Sequence, residues 1–231
     1  MITLQQGSHG PKVEFLQALL NKAALRERAG GTPLRTDGNF GPRTNASLKA
    51  FQTRHPPLQV NGMADNSVFS ALGLRTSVEH TRVILFGQPS TTSCWSAAAT
   101  MILGNQSVGQ GNATLAPVGS IYTNPENVSV FARGLGWSVL NHSPSVSELV
   151  SIVARTPVWL TGGGADWGHA VVLSAVYSDG DNAGDGTLFR IHDPWPMNSG
   201  RIYGSFANPL RMLNASGNVW LPASLTSLMI P

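Results

Sequence analysis

"GQPSTTSCWSAAATMILG", residues 87–104, holds the only cysteine of a 231-residue chain. Ser93 stands where a helix cap belongs, and Trp95, Ala98, Ala99 and Ile102 recur at helical spacing until Gly104 stops the run. The spacing predicts a helix over 94–103 with Cys94 in its first turn. There the unpaired backbone N–H groups and the helix dipole favour the thiolate, the nucleophilic form. A free cysteine is otherwise a small, inert core residue, so its meaning depends on what the chain brings beside it.

A thiolate that attacks a carbonyl needs a base, a group to orient the base, and donors for the oxyanion. Gln88, six residues upstream, can supply a side-chain amide next to the Cys94 N–H. His169 follows the flexible approach "GGGADWG" and begins the apolar strand "GHAVVLSAVY" (168–177). Asp193 ends the alternating strand "GTLFRIHDPW" (186–195). The turn "SDGDNAGDG" makes the two a hairpin, in which the start of one strand lies beside the end of the next. His169 and Asp193 are therefore expected neighbours, with the carboxylate fixing the imidazole tautomer.

The same residues offer competing roles. His192 alternates to the face opposite Asp193 and reads as structural. Asp166, three residues before His169, is the other carboxylate that could orient it. The run from Asp179 to Asp185 superficially resembles a calcium loop, but Ala183 stands at a ligand position and Arg190 replaces the closing glutamate. His9, His55, His80 and His142 lack metal-ligand spacing. No metal and no cofactor are expected. Trp95, Trp167 and Trp195 flank the reactive positions and could line a substrate cleft.

Further helices are expected near 125–134 and at 145–155, where Ser145 caps with Glu148 three positions on, and a strand at 155–163. One early helix followed by an antiparallel sheet is an α+β arrangement. Ahead of it, residues 1–74 read as three short helices. "GPKVEFLQALLNKA" places Val13, Leu16, Gln17 and Leu20 on one face; Gly41-Pro42 opens a second helix with Leu48 and Phe51 inward; "ADNSVFSALG" is the third. The two Gly-Pro openings hint at an internal repeat. Residues 75–84 are expected to be a linker, and 85–231 a second domain.

"TDGNFGPRTNASLKAFQTRH" and its flanks, residues 4–74, resemble the three-helix peptidoglycan-binding domain of bacterial wall enzymes. The connection 25–35 is longer than usual, and Asn61-Gly62 replaces a second Asp-Gly. Gln88-x5-Cys94-Trp95, Gly168-His169-Ala-Val-Val and His192-Asp193-Pro-Trp195 resemble the papain-like cysteine peptidases in their compact bacterial form, especially the secreted-effector branch. That resemblance covers about residues 84–200. It implies a papain-like α+β domain with Cys94 as nucleophile, His169 as base and acid, Asp193 as orienting carboxylate and Gln88 as oxyanion donor.

Residues 1–76 carry nine Lys/Arg against four Asp/Glu, and residues 77–231 six against eight. The basic first part suits an anionic polymer such as peptidoglycan. One cysteine excludes an internal disulfide. No apolar stretch approaches ~18 residues, so no membrane span is expected, and no nucleic-acid partner. No Sec-type signal is read at the start. The expectation is a bacterial thiol hydrolase made in the cytoplasm, exported by a specialised system, and acting on murein amides in a target cell's periplasm or wall. An immunity protein and a secretion-apparatus component would be its partners. A protein-cleaving protease, a phage-type lysin and a wall-anchored binder with a decayed site are the alternatives.

Overall fold

The structure, a computed structural model, describes residues 3–104, 125–140, 142–164, 167–208, 210, 212–213, 219–220 and 225–231. Three helices come first: α1 (Pro11–Arg26), α2 (Pro42–Arg54) and α3 (Asn66–Ala71). Gly10 and Gly41 precede the first two, each followed by a proline whose missing N–H costs nothing in a first turn. Asp65 caps α3, its carboxylate accepting from the Val68 N–H at 3.0 Å.

The internal repeat is visible in how the turns are held. Gln17, buried on α1, donates from Nε2 to Asp37 Oδ1 (3.0 Å) and Asn39 O (2.9 Å), and its Oε1 accepts from the Gly38 N–H at 3.0 Å. Gln52, buried on α2, donates to Asn61 Oδ1 (3.0 Å) and Met63 O (2.9 Å), and accepts from the Gly62 N–H at 2.9 Å. Gly38 and Gly62 both have positive φ (69° and 73°), so each turn needs glycine there. Asn61 replaces the aspartate without loss because only its acceptor oxygen is used.

The remaining elements are β1 (Thr76–Glu79), α4 (Cys94–Leu103), α5 (Pro125–Leu135), β2 (Ser138–Leu140), α6 (Val146–Val153), β3 (Val158–Gly164), β4 (Trp167–Ser178), β5 (Thr187–Asp193), β6 (Arg201–Phe206), β7 (Met212–Leu213), β8 (Val219–Trp220) and β9 (Leu225–Ile230). An antiparallel sheet runs β2-β9-β3-β4-β5-β6, with β1 pairing beside β4 beyond the end of β3. Alternate residues of β4 enter different cores, as the strand period of two requires. Ala170 and Val172 pack with Cys94, Trp95 and Ala98 of α4 and Phe131 of α5, whereas Val171 and Leu173 pack with Leu149, Ile152 and Val153 of α6. The chain is thus a helical unit plus an α+β unit of helices packed on an antiparallel sheet.

The helical unit shares a core with that sheet. Val13, Leu16, Gln17 and Leu20 are buried as their spacing predicts, but Phe15 and Leu19 are buried as well. They give α1 a second apolar face. The Phe15 ring lies 5.7 Å from that of Tyr177, and Leu188 and Ala175 join the same cluster. Ion pairs frame the contact: Lys12 Nζ to Glu79 Oε1 at 3.0 Å, and Lys22 Nζ to Asp179 and Asp181 at 2.7 Å each. The carboxylates of the calcium-like run therefore hold an ammonium group from α1.

The linker reading of 75–84 is corrected by these contacts. Arg75 N–H donates to Ser178 O at 2.8 Å, Thr76–Glu79 pair with Ser178–Ala175, and His80 donates from its N–H to Ser174 O at 2.9 Å. The ring of His80 also bonds Val153 O at 2.6 Å. A four-residue edge strand, half-buried throughout and with Val78 its one apolar residue, has no alternation to announce it.

Glu14 sits on the docked side of α1, against Gly204 of β6, where a Cβ would come within 2.5 Å of its Oε2. Burial, with the charge of Asp37, pushes its pKa up to about 7. Because the fold binds this proton more tightly than the unfolded chain does, its contribution to stability falls as pH rises from 4.5 through about 7. Glu14→Gln is therefore expected to melt above the wild type at about pH 8, with the difference vanishing toward about pH 5. Thermal denaturation of both proteins at the two pH values checks it, and equal gaps at both would refute the assignment.

Candidate active site

Helix α4 begins at Cys94, which is 2% exposed. Ser93 occupies the cap position but makes no capping bond to the helix. Its Oγ instead accepts from the Ser90 N–H at 3.0 Å and donates to Ser90 O at 3.0 Å, closing the loop before the helix. The expected cap is thus a loop clasp, and the first turn of α4 keeps no side-chain acceptor from Ser93. The positive end of the helix dipole is directed at the sulfur's neighbourhood.

The β4–β5 hairpin supplies the other groups. Its register pairs Val172 with His192, which sets His169 and Asp193 at the same end of the two strands. His169 Nε2 bonds Asp193 Oδ1 at 2.6 Å. The ring also hydrogen-bonds Cys94, and since Asp193 takes Nε2, the nitrogen facing sulfur is Nδ1. Burial alone would push the imidazolium down, but bonds and charges from Asp193 and Cys94 outweigh it and raise His169 to about 9. The ring is accordingly cationic at neutral pH, the state that pairs with a thiolate. Thiol, imidazole and carboxylate form one connected array: a base beside a nucleophile and a third group behind the base.

Comparison with known protein families matches residues 76–209 to the family described as papain-like cysteine protease AvrRpt2. The chain belongs to that family. Residues 9–72 match the peptidoglycan binding domain, so the protease carries a wall-binding module at its N-terminal side. No curated protein matches the chain, and no solved structure does.

Gln88 of the protease is 1% exposed and lies where two segments meet. Its N–H donates to Pro194 O at 2.9 Å, and its carbonyl accepts from the Asn198 N–H at 3.0 Å. The side-chain Nε2 donates to Ser90 O at 2.7 Å, while Oε1 is buried with no hydrogen-bond partner among the described residues. The loop after Asp193 thereby fixes the segment that leads to Cys94. Gly87 permits this: a Cβ there would strike the Ser199 nitrogen and the Asn198 carbonyl carbon, and would lie 2.9 Å from Asn198 Cα.

The tryptophans fall in different places. Trp95 is 1% exposed, its ring edge-on to Phe131 at 5.1 Å, so it is a core residue of the protease rather than part of a cleft wall. One step after a buried Cys94, its side chain enters the α4–α5–sheet core. Its carbonyl accepts from Trp159 Nε1 at 3.0 Å, which ties α4 to β3. Trp195 is half-buried and its N–H donates to Asp193 Oδ1 at 2.9 Å. The Trp167 side chain and all of Asp166 lie outside the described residues. The glycines of "GGGADWG" are not a loose approach: Gly162–Gly164 pair with His169–Trp167 in the β3–β4 ladder.

His192 is turned away from the array, its Nδ1 bonding Ser174 Oγ at 2.6 Å. Burial, then the charge of Arg190, pushes it down to about 4, which keeps it neutral. Ser174 sits at the bulge in β4, and Arg190 reaches from it to Glu79 at 3.2 Å. Arg201, which no sequence motif singles out, bonds Asp193 from β6. Its signal was available in outline, since a strand ending in Asp193 is followed by a Gly/Pro turn and then a cation at Arg201. Among the described residues no cluster could hold a metal, and no helix is long and apolar enough to cross a membrane.

Proposed function

We propose that this cysteine protease cleaves amide bonds in the peptide stems or cross-links of peptidoglycan. Cys94 attacks the acyl carbon. His169, which already holds the thiol proton in the ion pair, gives it to the leaving amine, and water then hydrolyses the thioester. Asp193 orients the ring through Nε2. The Cys94 N–H and the second N–H of the Gln88 amide, the first being held by Ser90, receive the oxyanion. Trp195, beside Asp193, is proposed as a substrate contact.

The observation that carries the murein reading is the fusion of a peptidoglycan-binding module to the thiol site in one chain. The module is docked on the sheet through Phe15, Tyr177 and two sets of ion pairs, so binding to the polymer would hold the site at a set offset from it. We further propose that the protein is an antibacterial effector, exported from a bacterial cytoplasm by a specialised route and active in a target cell's wall. In that setting an immunity protein protects the producing cell.

Incubating purified murein with wild type and with Cys94→Ala, followed by mass spectrometry of the fragments, tests the substrate. New muropeptides with the wild type only, bearing a freed amine and carboxylate, support the proposal. A second reading rests on the family itself, whose description is that of a protease: the substrate is then a protein. Cleavage of casein with murein left intact would establish that reading and end the first.

A further inference from the structure

Arg201 opens β6 and stands directly across from Asp193 in the β5–β6 ladder. Its Nε and Nη2 both donate to Asp193 Oδ2, at 3.1 and 3.0 Å. The Asp193 side chain has 0% exposure, and its Oδ1 accepts from His169 Nε2 and from the Trp195 N–H. The carboxylate is thus divided: one oxygen faces the imidazole, the other the guanidinium. A buried carboxylate beside a neutral ring would be an uncompensated charge, costly in a low-dielectric interior.

We propose that Arg201 is a positioning residue of the thiol site. By holding Oδ2 it compensates the buried carboxylate and keeps Oδ1 on His169 Nε2, so that Nδ1 faces Cys94 whether or not the ring is protonated. Two features favour this placement of the guanidinium. Gly200, at φ 63°, brings the chain back so tightly that a Cβ there would lie 2.8 Å from Asp193 O. The Tyr203 ring lies 5.6 Å from the guanidinium carbon, in cation–π range.

The described ionisable groups bonded to Asp193 are His169 from β4 and Arg201 from β6, and Cys94 from α4 faces His169 from its other side; on β5 itself, His192 is turned to Ser174 and neutral. The proton at issue is the one that His169 carries beside the Asp193 carboxylate. Removing that proton while Arg201 is present leaves the carboxylate paired with a cation. Without Arg201 it leaves a bare buried charge, so His169 keeps its proton to higher pH.

The test does not depend on the murein reading, because Cys94 is the only thiol in the chain and its alkylation can be followed directly. Iodoacetate is the probe, since its carboxylate is drawn to the imidazolium and the rate falls when His169 loses its proton. In the wild type the basic limb is expected near pH 9. In Arg201→Gln it moves up by about one unit, and in Arg201→Lys, which keeps the charge, it stays in place. A basic limb unmoved in folded Arg201→Gln, or moved equally in Arg201→Lys, overturns the proposal. If the Gln variant fails to fold, Arg201→Lys decides: an unmoved limb supports the charge role and an upward shift refutes it.

Discussion

Replacing His169 by alanine is expected to lower kcat/KM by about four orders of magnitude or more. Two losses combine in this one substitution. The thiolate loses the cation that pairs with it, so at mildly acidic pH Cys94 is a thiol as in an ordinary cysteine. The leaving amine also loses its proton donor, which no nearby described group replaces, because His192 bonds Ser174 instead. Asp193 is left with Arg201 and the Trp195 N–H, so the fold is expected to survive. Hydrolysis of whichever polymer the wild type cuts measures the first effect. Iodoacetamide labelling of the single thiol at about pH 6 should slow at least tenfold. Full turnover by a folded His169→Ala would show that another base serves the sulfur.

The second large effect comes from one methyl group. Gly87→Ala places a Cβ into the backbone at Asn198 and Ser199. Backbone cannot rotate aside as a side chain can, so the segment before Cys94 and the loop after Asp193 must separate. The Gln88 N–H to Pro194 O bond and the Asn198 N–H to Gln88 O bond are then lost together. The expected destabilisation is about 2–4 kcal/mol, from overpacking plus broken buried bonds. Activity should fall about a hundredfold even in the folded fraction, because misplacing an oxyanion donor, the role proposed for Gln88, alone has that weight. Comparing thermal unfolding with turnover per folded molecule separates the two. A Gly87→Ala protein with wild-type turnover would mean that the Gln88 segment does not support the reaction.

The parts of the site that were legible in the sequence share one property: each is read from a short stretch. Cys94 at a helix start, the Gly-Pro openings, the Ser145 cap and the β4–β5 hairpin all follow from spacing within about one or two dozen residues. The hairpin is why His169 and Asp193 could be paired before any coordinates, since a turn of known ends sets which residues meet. Trp95 shows the limit of such reading. Adjacency to Cys94 in the chain suggested a shared cleft, yet successive helical residues point about 100° apart, and the indole enters the core.

By itself the sequence determined the three N-terminal helices, the helix at Cys94, the β4–β5 hairpin, the α+β class, the family and which thiol, imidazole and carboxylate belong together. Those features depend on local periodicity and on motifs that survive being read one stretch at a time. Only the tertiary structure decided that Phe15 gives α1 a second buried face, that Thr76–Glu79 are a strand, and that Arg201 completes the surroundings of Asp193. Each of these is a contact between segments whose own patterns are satisfied without it, so its energy resides in how the finished pieces pack rather than in any one of them.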